Sequence, residues 1–294
     1  MSPTKPRVGV NRERCGNAQR LYAWPPIGYH FIRILVNNMT YTVACVQVGA
    51  LGTWEENVER AVTLVEETNA DLVVLPELFA QCRDFTKAEL IPGRTTDMFT
   101  RVAREQGIYL VMGSMLESDG DEHIYNTSLL IDARGEIIAR YRKIHLFSYG
   151  SKERRSLAPG SDVVVVDTPF GMIGMSICYD LRFPELYRAL VKKGAEIIVC
   201  PAAWPYPRLE HWLILNRARA IEEQCYLVSC NQVGTPVPQF TFFGRSLITD
   251  PWGEVFAAGS DHEGVIHASL DVDVVHSIRA EYRFLGDIVD LEAP

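Results

Sequence analysis

Short apolar runs and amphipathic stretches alternate along this chain from residue 41 onward. Residues 41–48, Tyr-Thr-Val-Ala-Cys-Val-Gln-Val, are almost continuously apolar and rich in β-branched side chains, the mark of a buried strand. Thr53 then caps a helix over 54–68. Val58, Ala61, Val62 and Val65 share one face of it, and a glutamate stands three residues after the cap. Residues 71–75 read as a second buried strand stopped by Pro76, followed by a helix over 95–106 and a strand over 109–116. Hairpins are predicted for 128–131 with 136–143, around Asp132-Ala-Arg-Gly135, and for 162–167 with 172–177. Beyond them come an amphipathic segment from Leu186 to Lys193, a strand over 196–200, a helix over 208–224 and a strand over 226–230. A hairpin near Asp250-Pro-Trp-Gly253, a strand over 265–270 and a short helix over 273–280 complete the pattern.

Two stretches of this pattern occur twice. Residues 128–139 (SLLIDARGEIIA) match residues 246–257 (SLITDPWGEVFA), and residues 69–76 (NADLVVLP) match residues 194–201 (GAEIIVCP). The two offsets are similar, so both matches point to one duplicated βα half. Each half would carry helices on one face of a sheet and bury its bare face against the other. The expected fold is therefore α/β, a four-layer αββα sandwich built from two pseudo-symmetric halves.

The duplication is broken at two strand ends. Glu77 follows Pro76, while its counterpart after Pro201 is Ala202; Lys143 ends the first hairpin, while its counterpart is Asp261. A third strand end carries Cys178, where the run from Gly171 passes into Tyr179-Asp180-Leu181-Arg182 and then Pro184-Glu185. This reads as strand, sharp turn and helix, with a partly exposed thiol near the positive end of a helix dipole, a setting that lowers a thiol pKa. From that stretch alone, a small buried hydrophobe fits as well as a nucleophile. Ligand sites in α/β folds gather at the carboxyl ends of strands, and all three residues lie at such ends. A thiol needs a base, which Glu77 could be, and Lys143 with the Tyr179 backbone N–H could take up an oxyanion. That set suits attack on an amide or nitrile, loss of ammonia, and hydrolysis of a thioester.

Composition narrows the setting. Seven cysteines in 294 residues, several inside apolar runs and none in a CxxC pair, argue for a reducing cytoplasm and against a disulfide framework or a zinc site. A net charge of −8 argues against nucleic acid as a partner, and no apolar run is long enough for a membrane span. Residues 1–38 differ: six basic residues (Lys5, Arg7, Arg12, Arg14, Arg20, Arg33) face one acidic residue, Glu13. They read as a disordered tail, a transit-like peptide or, preferred here, non-native sequence read through from an early start, so the domain is placed at 39–294.

Leu75-Pro-Glu77-Leu-Phe79, Tyr141-Arg-Lys143-Ile-His-Leu-Phe147 and Cys178-Tyr-Asp-Leu-Arg-Phe-Pro-Glu185 together resemble the three signature blocks of the nitrilase superfamily of carbon–nitrogen hydrolases. The resemblance spans about residues 40–290. It implies the αββα fold, catalytic roles for Glu77, Lys143 and Cys178, and a role for Glu153 in positioning substrate and the lysine. The residues after Cys178 look like the amidase branches, including the ω-amidase group, which act on short amides bearing a distant carboxylate. It further implies a homodimer or larger homo-oligomer, with no cofactor and no metal.

Arg182, Arg83 and Arg245 are candidates to pair with such a carboxylate, although Arg182 fits better as a structural bridge to Glu185 or Asp180. Trp204, Tyr206 and His211 follow a strand end and either line the pocket or pack beneath a loop. His145 reads as a hydrogen-bonded structural residue, which sets aside a Cys–His hydrolase. An N-carbamoyl amidohydrolase, a nitrilase, or an acyl transferase using the same triad remain alternatives.

Overall fold

The computed structural model describes residues 40–81, 84–149 and 152–289; the reading of 1–38 and the candidate Arg83 fall outside them. In chain order the elements are β1 (Tyr41–Gln47), α1 (Trp54–Glu66), β2 (Leu72–Val74), α2 (Arg94–Gln106), β3 (Tyr109–Val111), β4 (Met115–Ser118), β5 (Ile124–Ile131) and β6 (Ile137–Arg142). There follow α3 (Glu153–Ser156), β7 (Val165–Thr168), β8 (Gly171–Met175), α4 (Pro184–Lys192), β9 (Ile197–Ala202), α5 (Leu209–Glu223) and β10 (Tyr226–Asn231). The remainder is β11 (Val233–Val237), β12 (Phe240–Phe243), β13 (Leu247–Thr249), β14 (Val255–Ala258), β15 (Gly264–Leu270) and α6 (Val272–Glu281).

One sheet runs β15-β1-β2-β3-β5-β4 with β6 added to β5, and the other runs β14-β13-β10-β9-β8-β7. The duplication is visible in the pairing. β1, β2 and β3 are parallel, as are β8, β9 and β10, and each trio continues into an antiparallel hairpin. The matched turns even share their hydrogen bonds. Asp132 Oδ1 accepts from the N–H of Arg134 and Glu136, and Asp250 Oδ1 accepts from the N–H of Trp252 and Glu254. Gly135 and Gly253 close these turns at φ 80° and 79°, a conformation open to glycine at no steric cost.

Strand periodicity sorts the side chains into layers. On β1 and β2, Val43, Cys45, Leu72 and Val74 face the second sheet, in one core with Ile173, Met175 and Val199. Ala44, Val46, Val73 and Leu75 face the opposite way, against Val58, Ala61 and Val65 of α1 and Phe99 and Val102 of α2. On the second sheet α4 and α5 supply the outer layer through Leu186, Leu190 and Trp212. The αββα sandwich follows. α1 is set by the predicted cap: Thr53 Oγ1 accepts from Glu56 N–H while Glu56 returns the bond to Thr53 N–H at 2.8 Å, a device worth about 1 kcal/mol. β15 pairs with β1 along its whole length, tying the chain's second half back to its first.

One predicted element needs correction and one element lies outside the predicted pattern. The strand expected over 109–116 is two strands, broken at Gly113, whose φ is 63°. A Cβ on Gly113 would lie 2.0 Å from the Pro76 carbonyl oxygen, so the glycine permits the close crossing that anchors the Pro76–Glu77 loop. The second is a hairpin, β11–β12, that hydrophobic patterning did not disclose because Gly234 and Pro236 interrupt its alternation. It flanks the loop after β9 through a Pro205–Phe242 bridge and a Tyr206 N–H to Thr241 carbonyl bond of 2.9 Å.

Burial pushes the Cys200 thiol up to about 11 and the Cys225 thiol up to about 12. In the unfolded chain a thiol titrates near 8.5. As pH rises past that value the unfolded state therefore loses protons first, and stability falls by about 1.4 kcal/mol per pH unit for each such thiol. Urea midpoints measured from pH 8 to pH 10 are expected to drop, and to drop less steeply in Cys225→Ala. Equal slopes for the two proteins would contradict this account.

Candidate active site

The three strand-end residues meet. Lys143 Nζ lies 2.8 Å from Glu77 Oε1 and 2.8 Å from Glu153 Oε1, and all three side chains are buried. Glu77 leaves the end of β2, Lys143 the end of β6, and Glu153 opens the short helix α3. Glu77 is placed by both halves of the molecule. Its N–H donates to the Ala202 carbonyl, its own carbonyl accepts from Gln232 Nε2 at 2.6 Å, and its Oε2 accepts from Ala203 N–H at 3.0 Å. The position that duplication makes the counterpart of Glu77, Ala202, is thus its direct neighbour across the two-fold arrangement.

A buried ammonium between two carboxylates stays charged. Burial disfavours the Lys143 cation, but Glu153 and then Glu77 more than offset this and hold its pKa above the ordinary lysine value.

Cys178 sits at the predicted corner, just past β8 and after Ser176 and Ile177, at φ 46°. A side chain other than glycine costs roughly 1–2 kcal/mol in this left-handed region, so the surrounding structure must enforce it. Asp180 does so. Its buried carboxylate accepts from Ile177 N–H at 2.9 Å, Tyr141 Oη at 2.7 Å, His145 N–H at 3.0 Å and His145 Nδ1 at 2.7 Å. One carboxylate therefore ties the cysteine turn to the strand end that carries Lys143. His145 is structural, as expected, with its ring stacked on Phe183 at 3.8 Å.

The expectation of an exposed, acidified thiol is overturned. Cys178 is buried, and burial followed by the adjacent Glu77 carboxylate pushes its pKa well above the ordinary value, against the opposing charge of Lys143. Desolvation outweighs any dipole of the short turn Cys178–Arg182. The resting group is a thiol beside a carboxylate, which calls for a base acting during attack rather than a stored thiolate.

Above Cys178 opens a cleft of about 340 Å³ including its mouth, lined by Lys143, Phe147, Tyr179, Arg182, Ala203, Trp204, Pro205 and Arg208. Of the tentative substrate contacts, Trp204 and Arg182 line it. The bridge expected from Arg182 to Glu185 or Asp180 is absent, since Asp180 is committed elsewhere. The Arg182 guanidinium instead lies 4.7 Å from the Trp204 ring centroid and 3.3 Å from His211 Nδ1. His211 is exposed at the rim, touching the arginine and not the cleft floor. Tyr206 is also corrected: it is 48% exposed and packs edge-on to Phe243 at 5.3 Å, outside the cleft lining. Arg245 likewise lies outside that lining, holding Trp212 Nε1 through its carbonyl.

Three residues that sequence reasoning missed complete the site. Asn126, on β5, donates to Glu77 Oε1 at 2.8 Å. Ala203 supplies a backbone N–H, which no sequence pattern marks. Arg208, in the Trp204-Pro-Tyr-Pro-Arg208 loop after β9, was open to the same strand-end argument that found Trp204.

A family model described as carbon-nitrogen hydrolase matches residues 42–280. The chain is 36% identical over 261 residues to the 2-oxoglutaramate amidase of Bacillus subtilis (strain 168), covering 85% of this chain and 98% of that protein. It is 36% identical over 240 residues to Omega-amidase NIT2 of Xenopus tropicalis, covering 77% and 87%. Among solved structures it matches a mutant of the amidase from Nesterenkonia sp. AN1 with a TM-score of 0.73 and 26% identity, over 83% of this chain and 95% of that one. In that structure the acetamide moiety of fluoroacetamide is covalently added at the active site cysteine.

Proposed function

The chain belongs to the carbon–nitrogen hydrolase family, and we propose that it hydrolyses the terminal amide of a short carboxylate-bearing acid through a thioester on Cys178, with release of ammonia. The observation that carries this is the convergence of Cys178, in its left-handed backbone conformation, with the buried Glu77–Lys143 pair whose charges act on it, beneath a cleft lined by two arginines. Among the described residues no helix is long and apolar enough to cross a membrane. The unpaired thiols of Cys45, Cys178, Cys200, Cys225 and Cys230 support a reducing compartment such as the cytoplasm.

In the proposed cycle Glu77 takes the proton of the Cys178 thiol as Sγ attacks the amide carbon. The carbonyl oxygen becomes an oxyanion held by the Lys143 ammonium and the Tyr179 backbone N–H, charges that are in place before the reaction and so cost no reorganisation. Glu77 returns the proton to the leaving nitrogen, the C–N bond breaks, and ammonia departs from a thioester. Water then gives a proton to Glu77 and attacks the thioester carbon. The C–S bond breaks, the product carboxylic acid forms, and the proton on Glu77 restores the thiol. Glu153 acts through Lys143, fixing its ammonium between two carboxylates.

Purified protein is expected to release ammonia from monoamides of four- and five-carbon dicarboxylic and 2-oxo-dicarboxylic acids, with kcat/KM at least about tenfold above that for neutral aliphatic amides of the same length. An ammonia assay across such a panel, with N-carbamoyl compounds and nitriles included, checks it. Turnover confined to neutral amides, carbamoyl compounds or nitriles would overturn the reading.

A further inference from the structure

The second arginine of the cleft has no assigned purpose. Among the described residues neither Arg182 nor Arg208 is paired with a carboxylate, although the protein as a whole carries a net charge of −8. Arg182 rests its guanidinium against Trp204 and Tyr179, and Arg208 rests its own 5.5 Å from the Phe147 ring centroid. Arg182 has one terminal nitrogen 3.3 Å from His211 Nδ1, and ring contacts of this kind leave the other in-plane N–H donors of a guanidinium open to an acceptor. Both arginines line the same cleft. Burial depresses the Arg182 pKa; Tyr179 opposes this, and the charge of Arg208 adds to it.

The base of the Arg208 side chain is fixed. Its carbonyl accepts from Trp204 Nε1 at 3.2 Å and from Trp212 N–H at 3.2 Å, and its N–H donates to the Pro205 carbonyl at 3.3 Å. Arg208 therefore stands at the start of α5 on an immobile backbone, sharing the cleft with the nucleophile. Two mutually repelling, partly desolvated cations on rigid supports form an unsatisfied arrangement that an anion completes. A carboxylate offers lone pairs for two guanidinium forks and relieves the repulsion at the same moment.

We propose that Arg208 is a specificity-determining residue that, with Arg182, clamps the distal carboxylate of the amide substrate. The clamp explains how a cleft walled by Phe147, Tyr179 and Trp204 rejects neutral amides of the same size. Such an amide leaves the charge of both cations uncompensated, whereas the carboxylate of the acid offsets one of the two charges and accepts from both guanidinium groups. This inference rests on the amidase reading above and adds to it the residue that selects the charged end.

The test compares the monoamide of glutaric acid with pentanamide, its neutral analogue of equal length. The ratio of their kcat/KM values is expected to fall by roughly 10- to 100-fold in Arg208→Met. In Arg208→Lys, which keeps the charge and loses the fork, part of the preference is expected to return. A second measurement avoids turnover: calorimetric titration of Cys178→Ala with glutarate, where adding Arg208→Met is expected to weaken binding by a similar factor. Matching urea midpoints establish that the variants are folded; if the methionine variant is not, Arg208→Gln carries the same comparison. An unchanged ratio together with unchanged glutarate affinity overturns the clamp while leaving the amidase reading standing. A wild-type enzyme that shows no preference for the acid overturns both.

Discussion

Replacing Cys178 by alanine is expected to end ammonia release from every amide the wild-type protein cleaves, a loss of roughly four orders of magnitude or more. The size of the effect follows from the proposed covalent chemistry: without Sγ there would be no acceptor for the acyl group, and Glu77 alone would have only water to activate. Stability is expected to change little, within about 1 kcal/mol, because alanine keeps the Cβ and the Asp180 hydrogen bonds still hold the turn at its φ of 46°. Mass spectrometry gives an independent readout. A slowly hydrolysed amide should leave its acyl group on Cys178 in the wild-type protein and on no residue of the variant. Ammonia release that survives the substitution, or an acyl group found on another residue, would falsify the nucleophile assignment.

Lys143→Met should be the most destabilising single change at the site. The lysine is 1% exposed and bridges two carboxylates that its loss would leave together in a dry interior. Breaking a buried ion pair by removing one partner costs about 3–5 kcal/mol, a large fraction of the 5–15 kcal/mol typical of a whole domain. The sign of the pH dependence is fixed by the raised lysine pKa. The wild-type stabilisation is fully present below the ordinary lysine value of about 10.4 and fades only as pH rises through the still higher folded value. The stability gap between wild type and variant should therefore be constant from neutral pH to about pH 10, measured by urea denaturation. Adding Glu153→Gln to Lys143→Met removes one of the two carboxylate charges. The pair is expected to regain part of the stability and none of the activity, since the oxyanion still lacks its cation. A double variant no more stable than the single one would show that the two carboxylates are not coupled through the lysine.

The acidity of Cys178 shows where local reasoning misleads. A helix dipole is a property of nearby sequence and can be read from it. Burial beneath Trp204 and Ala203, and the approach of Glu77 from another sheet, are not. Desolvation of a charge is the larger effect in a dry site, so the thiol is held neutral and the base must be adjacent. Arg182 misled in the same way. Asp180 and Glu185 are its sequence neighbours, yet Asp180 is already claimed by Tyr141, His145 and Ile177, leaving the guanidinium to face the cleft.

The duplication, by contrast, was written in the chain. Hydrophobic period and turn chemistry are local, so β1, α1, β2, the Asp132 and Asp250 hairpins and their repetition could be read directly. A pair of βα halves with one bare face each has essentially one way to bury them, the αββα sandwich. The broken symmetry then singled out Glu77 and Lys143, and the turn after β8 singled out Cys178. Tertiary structure decided what no window of sequence contains. It chose which strand ends converge, set Asp180 and Asn126 as the groups that aim the site, broke one expected strand at Gly113 to let the Glu77 loop cross, and brought Arg208 beside Arg182. The reason is physical: secondary structure is fixed by contacts a few residues apart, whereas the charge, dryness and geometry of this site come from residues up to 155 positions apart in the chain, as in the bond from Gln232 to Glu77.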